Sequence, residues 1–581
     1  MKTFSDLKKN LKLDSSQLKP LRLALLGDSS TQLLNIALRG ASVDSGFHLD
    51  LWEADFDQIE LQAFDNHSDL YQHKPEIVIL FFASHKLLNN YNKKTPQQQV
   101  LFAENHISKL KELIGVIQTN SSAKIICYNQ PEIDDTVFGN FSNSVPSSFL
   151  YQLRKINLEL MNLTESFGNF YVCDLSSIQN RVGRNTLFQP SIYINTEMVL
   201  SIDVLPEVAM RTLSIVSALN GKLKKCLILD LDNTMWGGII GDDGIENIQV
   251  GYLGIGKAFT ELQHWAKKLK NRGVILCVCS KNTEHIAKEP FEKHPDMVLR
   301  LDDIAVFVAN WENKADNIRH IQQILNIGFD SMVFLDDNPF ERNLVRENIP
   351  GITVPELPED PAAYLEHLYS LNLFETVSYS GNDSERTKQY QIEAQRMAVQ
   401  KSFVNEDDFL QSLQMTSVVQ DFSKFNTPRV SQLSQRSNQF NLRTVRYTEG
   451  DIEAIGKSDL HKTFSFTLED KFGDNGLICA IILKKENDAT LFIDTWFMSC
   501  RVLKRGMENF VLNTIAEYGN LLGSTTLIGE YIPTLKNEIV KDHYESLGFS
   551  EMDGKWTLDV STYQPKKTFI QRKEEIVGKT H

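Results

Sequence analysis

The feature that most constrains the fold of this 581-residue chain is an apolar run, residues 226–229, that ends in Asp230 and Asp232. A short apolar run followed by polar residues is typical of a strand buried in a parallel sheet. Ligands bind at the carboxyl ends of such strands, where this sequence places two carboxylates. Because side chains alternate along a strand, we expect both carboxylates on one side, where their repulsion calls for a cation.

Two further apolar runs end in polar residues of the same kind. Residues 274–279 precede Ser280, and residues 331–335 precede Asp336 and Asp337. Between these runs, Lys314 lies at the start of a predicted helix. Each acidic pair alone is more typical of a solvated loop, but the four elements in this order resemble the motifs of the haloacid dehalogenase (HAD) phosphotransferases.

The HAD resemblance implies a role for each of these residues. Asp230 would be the nucleophile that accepts the phosphoryl group, and Asp232 the general acid and base. Ser280 would hold a phosphoryl oxygen, and Lys314 would offset negative charge. The metal site would hold Mg²⁺, which prefers carboxylate and phosphate oxygens, and its predicted ligands are Asp230, Asp232, Asp336 and Asp337. Only 22 residues separate Thr234 from Lys257, and 33 separate Ser280 from Lys314, so we expect no cap domain and an open site.

Composition narrows the class of protein. An apolar content of 42% and a mean hydropathy of -0.26 are typical of a soluble globular chain, and no apolar run approaches a membrane span. A net charge of -15 disfavours nucleic acid as a partner. The seven scattered cysteines indicate reduced thiols and a cytoplasmic location.

The pattern predicts an α/β protein of three domains joined by a connector. Residues 1–220 alternate strands and helices, as in a doubly wound SGNH-like or flavodoxin-like sheet. Their Gly27-Asp28-Ser29-Ser30 is similar to the nucleophile block of SGNH hydrolases, but Pro206 stands where that family has its base. We therefore interpret this domain as degenerate in chemistry and suited to docking. The other predicted segments are a HAD-like domain with a minimal cap (221–375), a helical connector (376–400), a GNAT-like acyltransferase domain (401–565) and a basic tail (566–581).

The GNAT-like interpretation depends on one loop. In that fold, backbone N–H groups at a helix N-terminus hold the pyrophosphate of coenzyme A. Arg501, Lys504 and Gly506 fit the pattern, except that Lys504 replaces a glycine. The resemblance implies that this loop contacts the phosphate of a phosphopantetheine group.

The whole architecture resembles the FkbH-like family. The motifs that carry this resemblance are Asp230-Leu-Asp-Asn-Thr-Met-Trp-Gly-Gly238, Cys279-Ser-Lys-Asn282, Asp336-Asp-Asn-Pro-Phe-Glu-Arg342, Ser437-Asn-Gln-Phe-Asn441 and Ser499-Cys-Arg-Val-Leu503. The resemblance implies transfer of a D-glyceryl unit from 1,3-bisphosphoglycerate to the phosphopantetheine thiol of an acyl carrier protein, with loss of phosphate, in polyketide-type biosynthesis. The alternatives are a phosphomonoesterase for a free metabolite and a non-catalytic scaffold that binds carrier proteins.

Two thiols compete as a temporary carrier of the acyl group. Cys500 lies beside Arg501 and before a predicted helix, an environment that favours the thiolate. Cys279 lies next to Ser280 at the predicted phosphoryl site. In the third alternative the carrier thiol attacks directly and neither cysteine reacts.

Overall fold

A computed structural model describes residues 2–379, 385–400, 403–534 and 536–573. These residues form two compact units, Met1–Ser217 and Ala218–His581, with residue 1 and the last eight residues outside the described part. The sequence predicted a boundary at residue 220. Within the described residues, no helix is long and apolar enough to cross a membrane.

The first unit is built on a parallel sheet with the strand order β2-β1-β3-β4-β5. Its strands are β1 (Lys19–Gly27), β2 (Phe47–Glu53), β3 (Ile77–Phe81), β4 (Lys124–Tyr128) and β5 (Phe170–Cys173). Its helices are α1 (Phe4–Asn10), α2 (Gln32–Asp44), α3 (Ile59–Phe64), α4 (Asp69–His73), α5 (Ser84–Asn92), α6 (Pro96–Gln99), α7 (Phe102–Asn120), α8 (Phe149–Ser166), α9 (Leu175–Val182), α10 (Arg184–Leu187), α11 (Pro190–Thr196) and α12 (Leu205–Leu219). This is the flavodoxin-like order of doubly wound sheets.

The candidate nucleophile block of this unit lies at the end of β1. The Ser29 hydroxyl is buried and finds no hydrogen-bond partner among the described residues. The Ala83 N–H donates to Asp28 Oδ1 (2.9 Å), and burial raises the pKa of Asp28 to about 7. Among the described residues no base is bonded to the Ser29 hydroxyl, and a serine nucleophile is activated by such a base. The degenerate chemistry of this domain stays a prediction.

The second unit begins with a parallel sheet of order β8-β7-β6-β9. Its strands are β6 (Cys226–Leu229), β7 (Ile275–Ser280), β8 (Ile304–Ala309) and β9 (Met332–Leu335). The helices of this part are α13 (Ile240–Asp243), α14 (Gly256–Asn271), α15 (Glu284–Lys293), α16 (Lys314–Leu325), α17 (Pro339–Asn348) and α18 (Tyr364–Leu371). The strands β6 and β9 are buried along their whole length, which explains their continuous apolar runs. Between β6 and α14, a range described without gaps, the only α-helix is the single-turn α13.

The predicted connector contains α19 (Arg386–Gln400), while residues 380–384 lie outside the described part. This helix is more than a linker, because it packs against β8, α16 and the C-terminal sheet. Buried ion pairs fix it there. Arg396 and Arg505 both contact Asp470, whose side chain has no exposed surface.

The C-terminal sheet has the order β16-β17-β15-β14-β13-β12-β10-β18, and β11 pairs with β12. Its strands are β10 (Thr416–Ser417), β11 (Val419–Gln420), β12 (His461–Asp470), β13 (Gly473–Asn487), β14 (Thr490–Met498), β15 (Thr526–Gly529), β16 (Ser550–Met552), β17 (Lys555–Asp559) and β18 (Gln571–Arg572). Its helices are α20 (Glu406–Ser412), α21 (Thr427–Arg436), α22 (Glu449–Gly456), α23 (Met507–Leu521) and α24 (His543–Ser546). The sheet is mostly antiparallel, but β14 and β15 run parallel.

The strands β12 and β13 turn at Asp470–Gly473, and β13 is irregular near Gly476, which has φ +67°. One sequence prediction for this domain is wrong, because the basic segment is not a tail from residue 566. Ile570 is buried, and β18 pairs with β10, so residues 566–573 belong to the domain. Residues 574–581 of that predicted tail lie outside the described part.

Candidate active site

The sheet of the second unit brings the predicted acidic residues to one edge. Because β6 and β9 are adjacent and parallel, with Leu229 paired to Leu335, Asp230 and Asp336 follow the same point of the ladder. Lys314 is the first residue of α16, which Asn313 caps by accepting from the Asp316 N–H. Arg342 braces the loop after β9 by donating to the carbonyls of Asp336 (2.8 Å) and Asp337 (2.6 Å).

A buried ammonium joins two of the carboxylates. Lys314 Nζ lies 2.9 Å from Asp230 Oδ2 and 2.5 Å from Asp336 Oδ2. Burial acts to lower the pKa of Lys314, but the charges of Asp230 and Asp336 outweigh it and raise that pKa. Burial, together with the charge of Asp230, raises the pKa of both Asp336 and Asp337.

The same edge fits a divalent cation. One oxygen each from Asp230, Asp336 and Asp337 can lie within 4.8 Å of the others. Asp230 Oδ1 is buried and has no hydrogen-bond partner among the described residues. Three carboxylates face a single ammonium, so a doubly charged cation would balance the site. A set of carboxylate oxygens suits Mg²⁺.

Asp232 lies apart from that group, unlike the prediction that made it a metal ligand. Its Oδ1 accepts from Trp236 Nε1 (2.9 Å) and from the Ile240 N–H (3.0 Å). Its Oδ2 accepts from Asn282 Nδ2 (2.8 Å). The strand ends at Leu229 and the chain then turns, so side-chain alternation no longer holds at Asp232. Its predicted role as acid and base stays a prediction.

Asn282 contacts both Ser280 and Asp232. Asn282 Nδ2 is 3.2 Å from Ser280 Oγ while it also donates to Asp232. The sequence prediction named Ser280 but gave no role to Asn282, Trp236 or Thr234. Thr234 Oγ1 accepts from the Asp337 N–H (3.1 Å). The signal was available, since all three lie within the motifs, but their contacts depend on turns that the sequence pattern does not specify.

The two candidate thiols have opposite environments. Cys279 is fully buried in the strand β7, and burial raises the pKa of its thiol. A thiol in that position cannot reach a carrier without opening the sheet, which argues against the Cys279 alternative. Cys500 is partly exposed, whereas the other six cysteines, all of them in the described residues, are buried.

The predicted phosphate-binding loop precedes α23 and contains two residues with left-handed backbone conformations. Gly506 caps α23 with φ +74°, and Lys504 has φ +63°. Burial raises the pKa of the neighbouring Glu508 carboxyl, and the backbone N–H groups of Glu508 and Lys504 act against that shift. A phosphate at this loop would lie beside this carboxylate, and the phosphopantetheine contact of Lys504 and Gly506 stays a prediction. Arg501, by contrast, is buried and lines a separate cavity.

Comparisons with known proteins match a family model and a solved structure of high identity. The family described as FkbH, N-terminal domain, matches residues 22–217. The solved N-terminal part of the protein BF1531 from Bacteroides fragilis, containing a phosphatase domain complexed with Mg, is 56% identical. The match covers 65% of this chain and 100% of that one, with a TM-score of 0.63.

More distant matches are acetyltransferases. The ribosomal-protein-S18-alanine N-acetyltransferase from Escherichia coli is 16% identical over 26% of this chain and 97% of that one, with a TM-score of 0.21. A spermidine N-acetyltransferase from Vibrio cholerae is 14% identical over 26% and 96%, also with a TM-score of 0.21. Such scores carry no argument about this chain. No curated protein matches it.

Proposed function

This chain belongs to the FkbH-like family, and from that premise we propose that it transfers a D-glyceryl unit from 1,3-bisphosphoglycerate to the phosphopantetheine thiol of an acyl carrier protein. In this proposal the site at Asp230 removes the remaining phosphate. The likeness to BF1531 supports a phosphatase domain of the HAD type with Mg²⁺ in this chain as well. The carrier, the glyceryl unit and the polyketide-type pathway are the finer part of the proposal.

One observation carries the phosphatase assignment. Asp230 has one oxygen held by Lys314 (2.9 Å) and one buried oxygen with no hydrogen-bond partner in the described part of the chain, next to two further carboxylates. An oxygen that is desolvated and uncommitted is suited to attack phosphorus, and the ammonium offsets the charge that gathers there.

The residues of the site can remove the phosphate in two successive displacements at phosphorus. Asp230 Oδ1 attacks phosphorus, the bond from phosphorus to the substrate oxygen breaks, and Asp232 gives that oxygen a proton. Asp232 then takes a proton from water, the water oxygen attacks phosphorus, and Asp230 is released with inorganic phosphate. Trp236, Ile240 and Asn282 orient Asp232 for both transfers. Mg²⁺, held by Asp230, Asp336 and Asp337, would supply charge neutralisation for the phosphate oxygens.

Short inserts around the aspartate site suit a phosphate presented by another protein. The loop after β6 carries only α13, and the segment between Ser280 and Lys314 returns to the sheet as α15 and β8. A phosphoglyceryl group at the end of a phosphopantetheine arm could therefore enter the site. Cys500 can hold the acyl group on the way to the carrier, or the carrier thiol can attack the acyl phosphate directly.

Mg²⁺ is expected to stabilise the protein, and loss of one ligand is expected to remove that effect. A cation bound at 100 times its Kd adds about 2.7 kcal/mol to the free energy of unfolding, which raises Tm by a few degrees. In Asp337→Asn the shift between EDTA and Mg²⁺ should largely vanish, because one carboxylate of the group is gone. Differential scanning calorimetry measures both shifts. An equal shift in the variant and the wild type would place the cation elsewhere.

The function is tested by intact-protein mass spectrometry of a phosphopantetheinylated carrier protein. The reaction contains the full-length chain, Mg²⁺ and 1,3-bisphosphoglycerate generated in situ. We expect a mass increase of one glyceryl group on the carrier. Phosphate release with an unmodified carrier would support the phosphomonoesterase for a free metabolite instead. Absence of both products would contradict the proposed reaction and favour the non-catalytic scaffold.

A further inference from the structure

A cavity of about 440 Å³ lies in the second unit, away from the aspartate site. Lys225 and Ser331, which line it, directly precede β6 and β9, whereas Asp230 and Asp336 directly follow these strands. A strand rises about 3.3 Å per residue, so the five steps from Lys225 to Asp230 span roughly 17 Å. The cavity and the aspartate site therefore lie at opposite ends of the same strands.

The lining of this cavity is strongly cationic. Among the described residues that line it, Asp330 is the only carboxylate, and its Oδ2 already accepts from Lys536. The cations are Lys225, Arg386, Arg429, Arg436, Arg501 and Lys536. An excess of positive side chains around a cavity attracts a negatively charged ligand.

Lys225 and Arg501 donate hydrogen bonds to neutral oxygen atoms. Lys225 Nζ donates to the Arg436 carbonyl (2.5 Å). Arg501 donates to Ser499 Oγ (3.4 Å) and to Gln389 Oε1. Burial lowers the pKa of Lys225 to about 8, a desolvation cost that a bound anion would offset.

Two polar side-chain atoms of the cavity lining have no hydrogen-bond partner among the described residues. Ser437 is 6% exposed, and its Oγ has no hydrogen-bond partner among the described residues. The same holds for Gln439 Oε1. Both residues line the cavity, where a ligand with hydroxyl groups would satisfy them. The volume lies within the range of small-molecule sites.

We propose that this cavity is a second ligand site, which binds the phosphate end of a short phosphorylated chain beside the Cys500 thiol. This inference deepens the proposed function, on which it rests for the identity of the ligand. Two ligands could supply such a phosphate ester on a small flexible chain: the three-carbon acyl donor and the phosphopantetheine arm. Acyl loading and phosphate removal would then occupy opposite ends of the β6–β9 sheet.

The test measures how fast Cys500 is alkylated in the full-length protein. Iodoacetamide is added in EDTA under native conditions, and peptide mass spectrometry gives the rate at each cysteine. Cys500 should react fastest, since it is the partly exposed one among seven. Saturating 3-phosphoglycerate, or free 4′-phosphopantetheine, should slow that reaction at least about fivefold. Glycerate, which lacks the phosphate, should not. The probe that protects at the lower concentration identifies the source.

Variants decide where the protecting ligand binds. Lys225→Met and Lys536→Ala should each weaken the protection, while Asp337→Asn, at the other end of the sheet, should keep it. Lys536 is exposed, so its variant remains informative if Lys225→Met does not fold. Protection by neither probe, or protection lost only in Asp337→Asn, would overturn the inference. Phosphate release that fails while Cys500 is still protected would contradict the proposed function and leave the cavity assignment in place.

Discussion

Asp230→Asn is expected to lower the rate of phosphate release by about 10³-fold or more, because an amide cannot replace a carboxylate nucleophile. The side chain keeps its size, and one oxygen can still accept from Lys314. The reaction with the carrier protein should therefore stop at the phosphorylated acyl group. Intact-protein mass spectrometry would then show phosphoglyceryl on the carrier in place of glyceryl.

The matched control for this variant is Asp302→Asn. Asp302 belongs to another acidic pair of the same domain, but it is exposed. It lies just before β8, at the amino-terminal ends of the parallel strands, whereas Asp230 follows the carboxyl end of β6. The same change of charge there should leave phosphate release within about twofold of the wild type. Phosphate release by Asp230→Asn at the control rate would contradict the assignment of Asp230 as nucleophile.

The position of the aspartate site was predictable because its residues directly follow strands or begin a helix. Asp230 and Asp336 come directly after apolar runs, and parallel strands bring their carboxyl ends to one edge. Lys314 joins them as the first residue of a helix. The sequence thus predicted that Asp230, Asp336 and Lys314 meet there, while their catalytic roles stay predictions.

The position of Asp232 was not predictable from alternation. The rule that places every second side chain on one face holds only while the strand continues. Here the chain turns after Leu229, and Asn233 adopts a left-handed conformation with φ +54°. The carboxylate is then captured by Trp236 and Asn282, through contacts that depend on that turn.

The cationic cavity could not be predicted from the sequence, for a different reason. Its lining comes from segments as distant as Lys225, Tyr390, Asn438 and Cys500. Asn438 and Cys500 lie in separate motifs of the family resemblance, and no local pattern indicates that these motifs meet around one cavity. The sequence pointed to Cys500 and Arg501 from adjacent residues alone. It also assigned residues 566–581 to a basic tail, although Ile570 is buried and β18 lies at one edge of the C-terminal sheet.

Lys314→Met is expected to destabilise the protein in EDTA, and more at pH 8 than at pH 6. Removing one member of a buried charged group costs about 3–5 kcal/mol, because Asp230 and Asp336 lose their counter-ion. Burial and the charge of Asp230 raise the pKa of Asp336 to about 7, even with Lys314 acting against this shift. A carboxyl with a raised pKa favours folding at low pH, and this contribution is lost as the pH rises through the folded-state value. Urea unfolding at both pH values measures the difference.

The pH dependence separates a charge effect from a packing effect. Methionine is close to lysine in length, so a loss of packing alone would destabilise the protein equally at pH 6 and pH 8. The control Lys293→Met removes an exposed lysine and should change the free energy of unfolding by less than about 0.5 kcal/mol. Mg²⁺ should recover part of the stability of Lys314→Met, since the cation replaces the missing positive charge among the carboxylates. If the loss is the same at both pH values and Mg²⁺ recovers none of it, Lys314 is not the counter-ion of this site.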